Sequence, residues 1–212
     1  NKAIEIYNNS AQSVDLSAAN VVLVRSTNGG TSTSNITLTG TVAAHSTFVI
    51  AHTSANAEIQ ALANQLSGNV NHNGDDAYTL LVDGVVVDSF GQVGTDPGTN
   101  WGSDEFSTVN NTLRRNANVQ TGDTVVDDAF DPSVEWTGYG IDVVDGLGQH
   151  SVDLGEIYIS EYIEGSGNNK ALEFYNPNSI SVDLSTYTLL RSTNGGTSEA
   201  TITLEGSIAP FG

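Results

Sequence analysis

Cysteine and methionine are both missing from the 212-residue chain, and bases are scarce: 6 Lys and Arg stand against 25 Asp and Glu, a net charge of −19. Without cysteine there are no disulfides, no thiolate-held zinc and no thiol nucleophile. A chain this acidic repels phosphate backbones, so no nucleic acid partner is expected, and adsorption to anionic lipid is disfavoured. No apolar run approaches the roughly 20 residues that cross a bilayer as a helix, so no membrane insertion is expected. The chain begins at Asn1. With no methionine there, it is expected to be a processed product or a piece of a longer protein.

What is present points to β structure. Hydrophobic residues make up 38% of the chain, rich in Val, Ile, Leu and Tyr, and 22 glycines accompany abundant Ser, Thr, Asn and Asp. β-branched residues suit half-buried pleated strands, and the small polar residues suit turns.

An internal repeat organises the chain. Asn1-Lys2-Ala3-Ile4-Glu5-Ile6-Tyr7-Asn8 returns as Asn169-Lys170-Ala171-Leu172-Glu173-Phe174-Tyr175-Asn176, an offset of 168. Ser13 to Ser17 returns at Ser181 to Ser185, and Arg25 to Ser32 recurs unchanged at Arg191 to Ser198, now with an offset of 166. Ile36-Thr37-Leu38 recurs at Ile202-Thr203-Leu204. The expected division is therefore 1–150, one β-sandwich lacking its own first strand, and 151–212, the first strands of a second, truncated copy. The second copy carries a preamble that the first lacks. Residues 156–163, Glu-Ile-Tyr-Ile-Ser-Glu-Tyr-Ile, read as a strand, and 164–168 as a hairpin loop.

In the first copy, strands are expected at 2–7, 20–25, 35–39, 47–52, 77–82 and 85–90, with short β segments around Leu113 and Trp136. Asp83-Gly84 between two of the strands is a strong two-residue hairpin signal. Ile59, Leu62, Ala63 and Leu66 follow helical spacing, with Ser54 as N-cap and Gly68 as stop, so a crossover helix is expected near 55–67. Ile4, Ile6, Val49, Leu80 and Trp136 are expected inside. The fold class is all-β: a β-sandwich with one short crossover helix.

These stretches resemble the lamin-tail domain family in its bacterial secreted branch. The resemblance is carried by Ile159 to Glu173, Val14-Asp15-Leu16-Ser17, Phe48-Val49-Ile50-Ala51-His52 and Asn73-Gly74-Asp75-Asp76-Ala77. Phe90 to Gly98, Asn111 to Arg115 and Asp128 to Trp136 extend it over nearly the whole chain. It implies an immunoglobulin-like β-sandwich. It also implies an accessory or structural module of extracellular proteins, with no catalytic residues to carry over. Fold alone does not settle function.

Two acidic or amide-rich loops have cation-loop character. Asn69, Asn71 and Asn73 fall at alternate positions before Gly74, with Asp75 following, as oxygen ligands do in calcium loops. Asn replaces Asp at the first position, and Leu80 stands at the twelfth, where a bidentate acid would close the site. Asp123, Asp127, Asp128, Asp131 and Glu135 form the second cluster. For both, two readings stand open: a calcium site, or an Asx-rich turn and a solvated loop. Calcium is the one candidate cofactor, expected to stabilise the fold if it binds.

Arg114-Arg115 is the one basic pair, with partnership to nearby carboxylates preferred over phosphate. Lys2 and Lys170, at matching positions, suit cross-strand pairing with an acid. Trp101 and Trp136 read as buried anchors rather than sugar platforms. His45, His52, His72 and His150 are scattered, and no hydrolase or metalloprotease motif surrounds them.

The expectation is a non-catalytic, extracellular or cell-surface structural repeat partnered by copies of itself, as a head-to-tail filament or tandem array. The alternative is an accessory binding module of a secreted nuclease or other hydrolase. The interface is expected at strand 2–7, through Ile4 and Ile6, filled by segment 156–163. There Ile157, Ile159 and Ile163 would share one face by period two, interrupted only by Glu161.

Overall fold

The computed structural model describes residues 1–153, 155–197 and 199–212. The contacts divide the chain into two units, Asn1–His150 and Ser151–Gly212.

The first unit runs β1 (Ala3–Asn8), β2 (Val14–Asp15), β3 (Val21–Ser26), β4 (Thr33–Thr37), β5 (Thr41–Val42), β6 (Ser46–Ala51), α1 (Ala57–Leu62), β7 (Gln65–Leu66), β8 (Ala77–Val82), β9 (Val85–Phe90), β10 (Thr112–Arg115), α2 (Pro132–Glu135) and β11 (Trp136–Tyr139). It is an immunoglobulin-like β-sandwich. One sheet has the order β4-β3-β8-β9, the other β1-β6-β7, and two small pairs, β2-β5 and β10-β11, close the ends. The core between the sheets holds Val21, Leu23, Ile36 and Tyr78 from the first with Phe48 and Ile50 from the second. Leu16, Leu38 and Val70 from the connections and Val42 from β5 complete it. Alternation explains the selection: on β6, Phe48 and Ile50 point inward, and their neighbours Val49 and Ala51 point to the opposite face.

That opposite face is also covered. Ala51, Ala55 and Ile59 form a second apolar cluster, joined by Ala3, Ala63, Val144 and Leu147. Helix α1 and the segment 140–150 thus lie over the outer side of β1 and β6.

Most strands fall within two residues of their expected positions, and β8 and β9 at their expected bounds. Asp83 (φ 48°) and Gly84 (φ 79°) both take the left-handed conformation that a tight type I′ hairpin requires. The short segments at Leu113 and Trp136 pair with each other, Leu113 opposite Gly138 and Arg115 opposite Trp136.

The helix departs from expectation. It is capped by Asn56, whose side chain accepts from Ile59 N, and ends at Leu62. Ile59 is buried, but Leu62 and Leu66 are 42% and 44% exposed, so the expected apolar stripe does not form. The reason is competition from the sheet. Gln65 and Leu66 pair in parallel with Ile50 and Ala51. Asn64 Oδ1 accepts from Val49 N at 2.8 Å, and Gln65 bonds the backbone of Thr37 and Thr39. Of the residues expected inside, Val49 is 1% exposed, whereas Ile4, Ile6, Leu80 and Trp136 are half-buried.

The second unit comprises β12 (Tyr158–Glu164), β13 (Lys170–Tyr175), β14 (Val182–Asp183), β15 (Thr188–Ser192), β16 (Glu199–Thr203) and β17 (Ser207–Ile208), which pair as β12-β13, β15-β16 and β14-β17. Asn176 is fully buried and ties the unit together, donating to Ile180 O and Ala209 O. Among its described residues, Tyr158, Ile159, Tyr162, Ile163, Leu172, Ile180, Leu190 and Ile202 are exposed. Ile36, the counterpart of Ile202 in the first copy, is 4% exposed.

Candidate functional site

Strand β1 has a strand neighbour on one side alone among the described residues. It pairs antiparallel with β6, Ile4 opposite Ile50 and Ile6 opposite Phe48. His52 N donates to Lys2 O at 2.9 Å. By the two-residue period, Ile4 and Ile6 therefore also turn their N–H and C=O groups toward β6. Ala3, Glu5 and Tyr7 turn theirs to the other, open edge. An unpaired edge is a template for an added strand unless bulges, prolines or inward charges blunt it. β1 has six residues, no proline and no bulge against β6. On the inner face of β1, Ile4 and Ile6 pack against the core and are half-buried, while Phe48 and Ile50 opposite them are buried.

The outer face of β1 carries a different chemistry. Glu5 Oε2 accepts from Gly148 N at 2.5 Å. Burial under this segment raises the Glu5 carboxyl to about 7, against the opposing pull of that backbone bond and of Arg114. His150 stacks on Tyr7 with centroids 4.8 Å apart, and burial lowers its imidazole pKa. Arg114 bonds Asp145 and lies over the Tyr139 ring at 4.0 Å, holding the segment from its other side. Arg115 makes a two-pronged contact with Asp88 at 2.6 and 3.0 Å and covers Trp136 at 4.7 Å. Each arginine of the basic pair therefore serves a carboxylate and an aromatic ring.

A buried polar cluster sits at the turn before β8. Asp76, its side chain fully enclosed, accepts from Arg25 Nη1 at 3.3 Å and from the backbone N–H groups of Asn28 and Asn73, both at 3.1 Å. Arg25 also donates to Asn71 O at 3.0 Å. His72 Nδ1 lies 3.0 Å from Tyr78 Oη. Burial, helped by Lys2, holds the His72 pKa down at about 4, so the ring is neutral near pH 7.

The cation-loop residues are placed as follows. Asn69 Nδ2 donates to Asn35 O, Asn71 Oδ1 accepts from Lys2 Nζ at 2.9 Å, and Asn73 gives its N–H to Asp76. Asp75 is buried, and its Oδ1 has no hydrogen-bond partner. In the second cluster Asp123 Oδ1 accepts from Val125 N, and Asp131 caps α2 by accepting from Ser133 N and Oγ. Those Ser133 bonds lower the Asp131 pKa. Asp127 and Asp128 are exposed. Among the described residues, no group of three or more His, Asp or Glu is placed to hold a metal ion. The turn at 69–76 draws its cation from the chain itself, in Arg25.

In the second unit, β13 repeats β1, and β12 occupies the side that β1 leaves open. The hairpin register is Ile163 opposite Ala171, Tyr162 opposite Leu172, Glu161 opposite Glu173, Ile159 opposite Phe174 and Tyr158 opposite Tyr175. A bulge between Ile159 and Glu161 corrects the expected face. Opposed residues share a face, so Ile159 lies with Tyr162, Leu172 and Phe174, while Ile163 lies with Glu161 on the other. Ile157 and Ile159 line a shallow cavity of about 120 Å³ with Phe174, Leu189 and Leu204. Lys170 pairs with Glu164 across the hairpin. Lys2, its counterpart, bonds an amide rather than an acid.

Together these features define an all-β sandwich module. Residues 1–94 match the family model of the Lamin Tail Domain. That family is one of structural immunoglobulin-like domains, not a catalytic one. No curated protein and no solved structure matches the chain. Among the described residues, no helix is long and apolar enough to cross a membrane.

Proposed function

We propose that the chain is a non-catalytic structural module, working outside the cell or at its surface, that assembles head to tail with copies of itself as a filament or tandem array. The observation that supports this most is the contrast between the two copies of one sequence. The second unit repeats the opening strands of the first, yet Ile202 is exposed where its counterpart Ile36 is buried, and Leu184, Leu189 and Leu204 are half-buried where Leu16, Leu23 and Leu38 are buried. Ile159, Tyr162 and Leu172 are exposed on one face of the β12-β13 hairpin, and exposed apolar patches mark interaction sites. A contact between unlike surfaces of two copies is heterologous, and it propagates as an open chain unless its rotation closes. The secreted setting rests on the resemblance of the sequence.

Light scattering and electron microscopy of the whole chain, compared with the chain lacking 156–212, test the reading. Concentration-dependent growth of the whole chain, lost in the shorter one, is expected. Monomers of equal stability from both would overturn it.

A further inference from the structure

We propose that the side chains of Gln65 and Asn69 plug the outer edge of β4, and so keep this strand from pairing with β4 of a second copy. The plug goes beyond head-to-tail assembly, since it holds one edge of the sandwich out of any assembly.

Strand β4 ends its sheet, and β3 is its one strand neighbour among the described residues. Leu38 N donates to Val21 O at 2.9 Å, so Ser34, Ile36 and Leu38 turn their backbone groups to β3. Thr33, Asn35, Thr37 and Thr39 turn theirs outward. The usual protections of such an edge are missing here. β4 has no bulge against β3, and no Asp, Glu, Lys, Arg or Pro stands anywhere from Ser26 to Ala57. An uncharged, proline-free, β-prone run at a sheet edge is the pattern that adds strands and aggregates. By contrast β9, at the other end of the same sheet, carries Asp88 and a shift in register beside it.

Two side-chain amides take the place of those protections. Gln65 Nε2 donates to Thr37 O at 2.9 Å, and Gln65 Oε1 accepts from Thr39 N at 3.0 Å. One amide group thus bonds the carbonyl before Leu38 and the N–H after it, as a residue of an added parallel strand would. Asn69 Nδ2 donates to Asn35 O at 3.1 Å, two residues further along the same edge. Both amides are held from behind. The Gln65 backbone pairs with Ile50 of the other sheet, and Asn69 N donates to Ser67 Oγ just before the buried Val70. The occupant kept away is β4 itself. In a chain of net charge −19, two copies of this uncharged strand meet without like charges directly opposed. Such a contact is isologous and closes as a dimer.

The test compares the intact chain with Gln65→Ala, Asn69→Ala and the double variant, by light scattering and residue-resolved amide exchange. In dilute solution the Thr39 amide should exchange up to about tenfold faster in Gln65→Ala, having lost its acceptor. With rising concentration the double variant should exceed the native chain in size. Asn35 and Thr37 should then gain protection, while Ile36 and Leu38, already bonded to β3, do not change. Thr37→Lys added to the double variant sets like charges against each other at the edge and should restore the native size.

A double variant that keeps the native size at every concentration would overturn the proposal. So would association that Thr37→Lys leaves in place, because it marks unfolding rather than an opened edge. Head-to-tail assembly shows in the native chain and in every variant alike, so its failure is distinguishable from failure of the plug.

Discussion

Substituting Asp76 by alanine should unfold the first unit more readily than any surface change, because of what it leaves behind. The Asp76 side chain is fully enclosed, and that of Arg25 is only 13% exposed. The carboxylate receives one guanidinium N–H and two backbone N–H groups. Removing one partner of a buried pair strands the other charge, at a cost of about 3–5 kcal/mol. For a unit of this size each kcal/mol lowers Tm by about 2–4 °C, so a fall of about 6–20 °C is expected. Urea and thermal unfolding followed by circular dichroism measure it. The double variant Asp76→Ala, Arg25→Met should recover part of the loss, since it removes the stranded charge too. The repeat provides an internal control. Arg191 stands in the same octapeptide as Arg25 but is exposed, so Arg191→Met should cost no more than about 0.5 kcal/mol. A loss below about 1 kcal/mol for Asp76→Ala, or equal losses for Arg25→Met and Arg191→Met, would refute the argument.

Glu5 gives a pH dependence of definite sign: its folded pKa of about 7 lies above the ordinary 4.5. The stability it supports is complete below the lower value and is lost as pH rises through the higher one. Tm should therefore decline between pH 5 and 8 in the native chain and decline less in Glu5→Gln; parallel profiles would contradict this. Gly29 has φ +63°, and a Cβ there would lie 2.0 Å from Thr95 O, whereas Gly195 has φ +67° with nothing within 4 Å. Gly29→Ala should consequently lower Tm far more than Gly195→Ala, which suffers backbone strain alone; similar losses would show that the Thr95 contact yields freely. Exchanging calcium for a chelator should leave Tm within about 1 °C, because among the described residues neither loop gathers three or more acids or histidines; a calcium-specific rise that magnesium does not reproduce would mark a cation site.

Where local chemistry decides the structure, the sequence could be read directly. The Asp83-Gly84 hairpin needs two residues tolerant of positive φ, and that requirement set β8 and β9 to the residue. The helix was harder, since Leu66 satisfies helical spacing and strand pairing equally well. The pairing with Ala51 won because Asn64 and Gln65 supply bonds that a further helical turn would forfeit. The β12 face was misjudged for a similar reason. A bulge shifts side-chain parity by one residue and leaves no mark in a hydrophobic pattern. The cluster around Asp76 was half-visible: the acids were noticed, but their partner lies 51 residues away on β3. Only the scarcity of arginines in so acidic a chain could have pointed to it. Glu5 was overlooked as a site because its burial depends on the segment 140–150, which the sequence marks only as loop and which packs through Val144 and Leu147.

The repeated octapeptide Arg25–Ser32 and Arg191–Ser198 separates what a sequence encodes locally from what its surroundings add. In both copies the described turn has the same backbone. Asn28 lies at φ 51°, ψ 40° and Asn194 at φ 54°, ψ 31°, each followed by a glycine with positive φ. The turn is thus written in the octapeptide itself. Its surroundings are not. In the first unit Gly29 is buried and its carbonyl accepts from Gly94 N at 2.5 Å, while Arg25 reaches inward to Asp76. In the second, Gly195 faces open space and Arg191 is exposed. Local geometry tolerates Asn as well as Gly at a left-handed position. The close approach of Thr95 is what makes glycine obligatory at position 29. The second copy carries the same glycine, the same arginine and the same apolar strand positions without the contacts that give them purpose in the first.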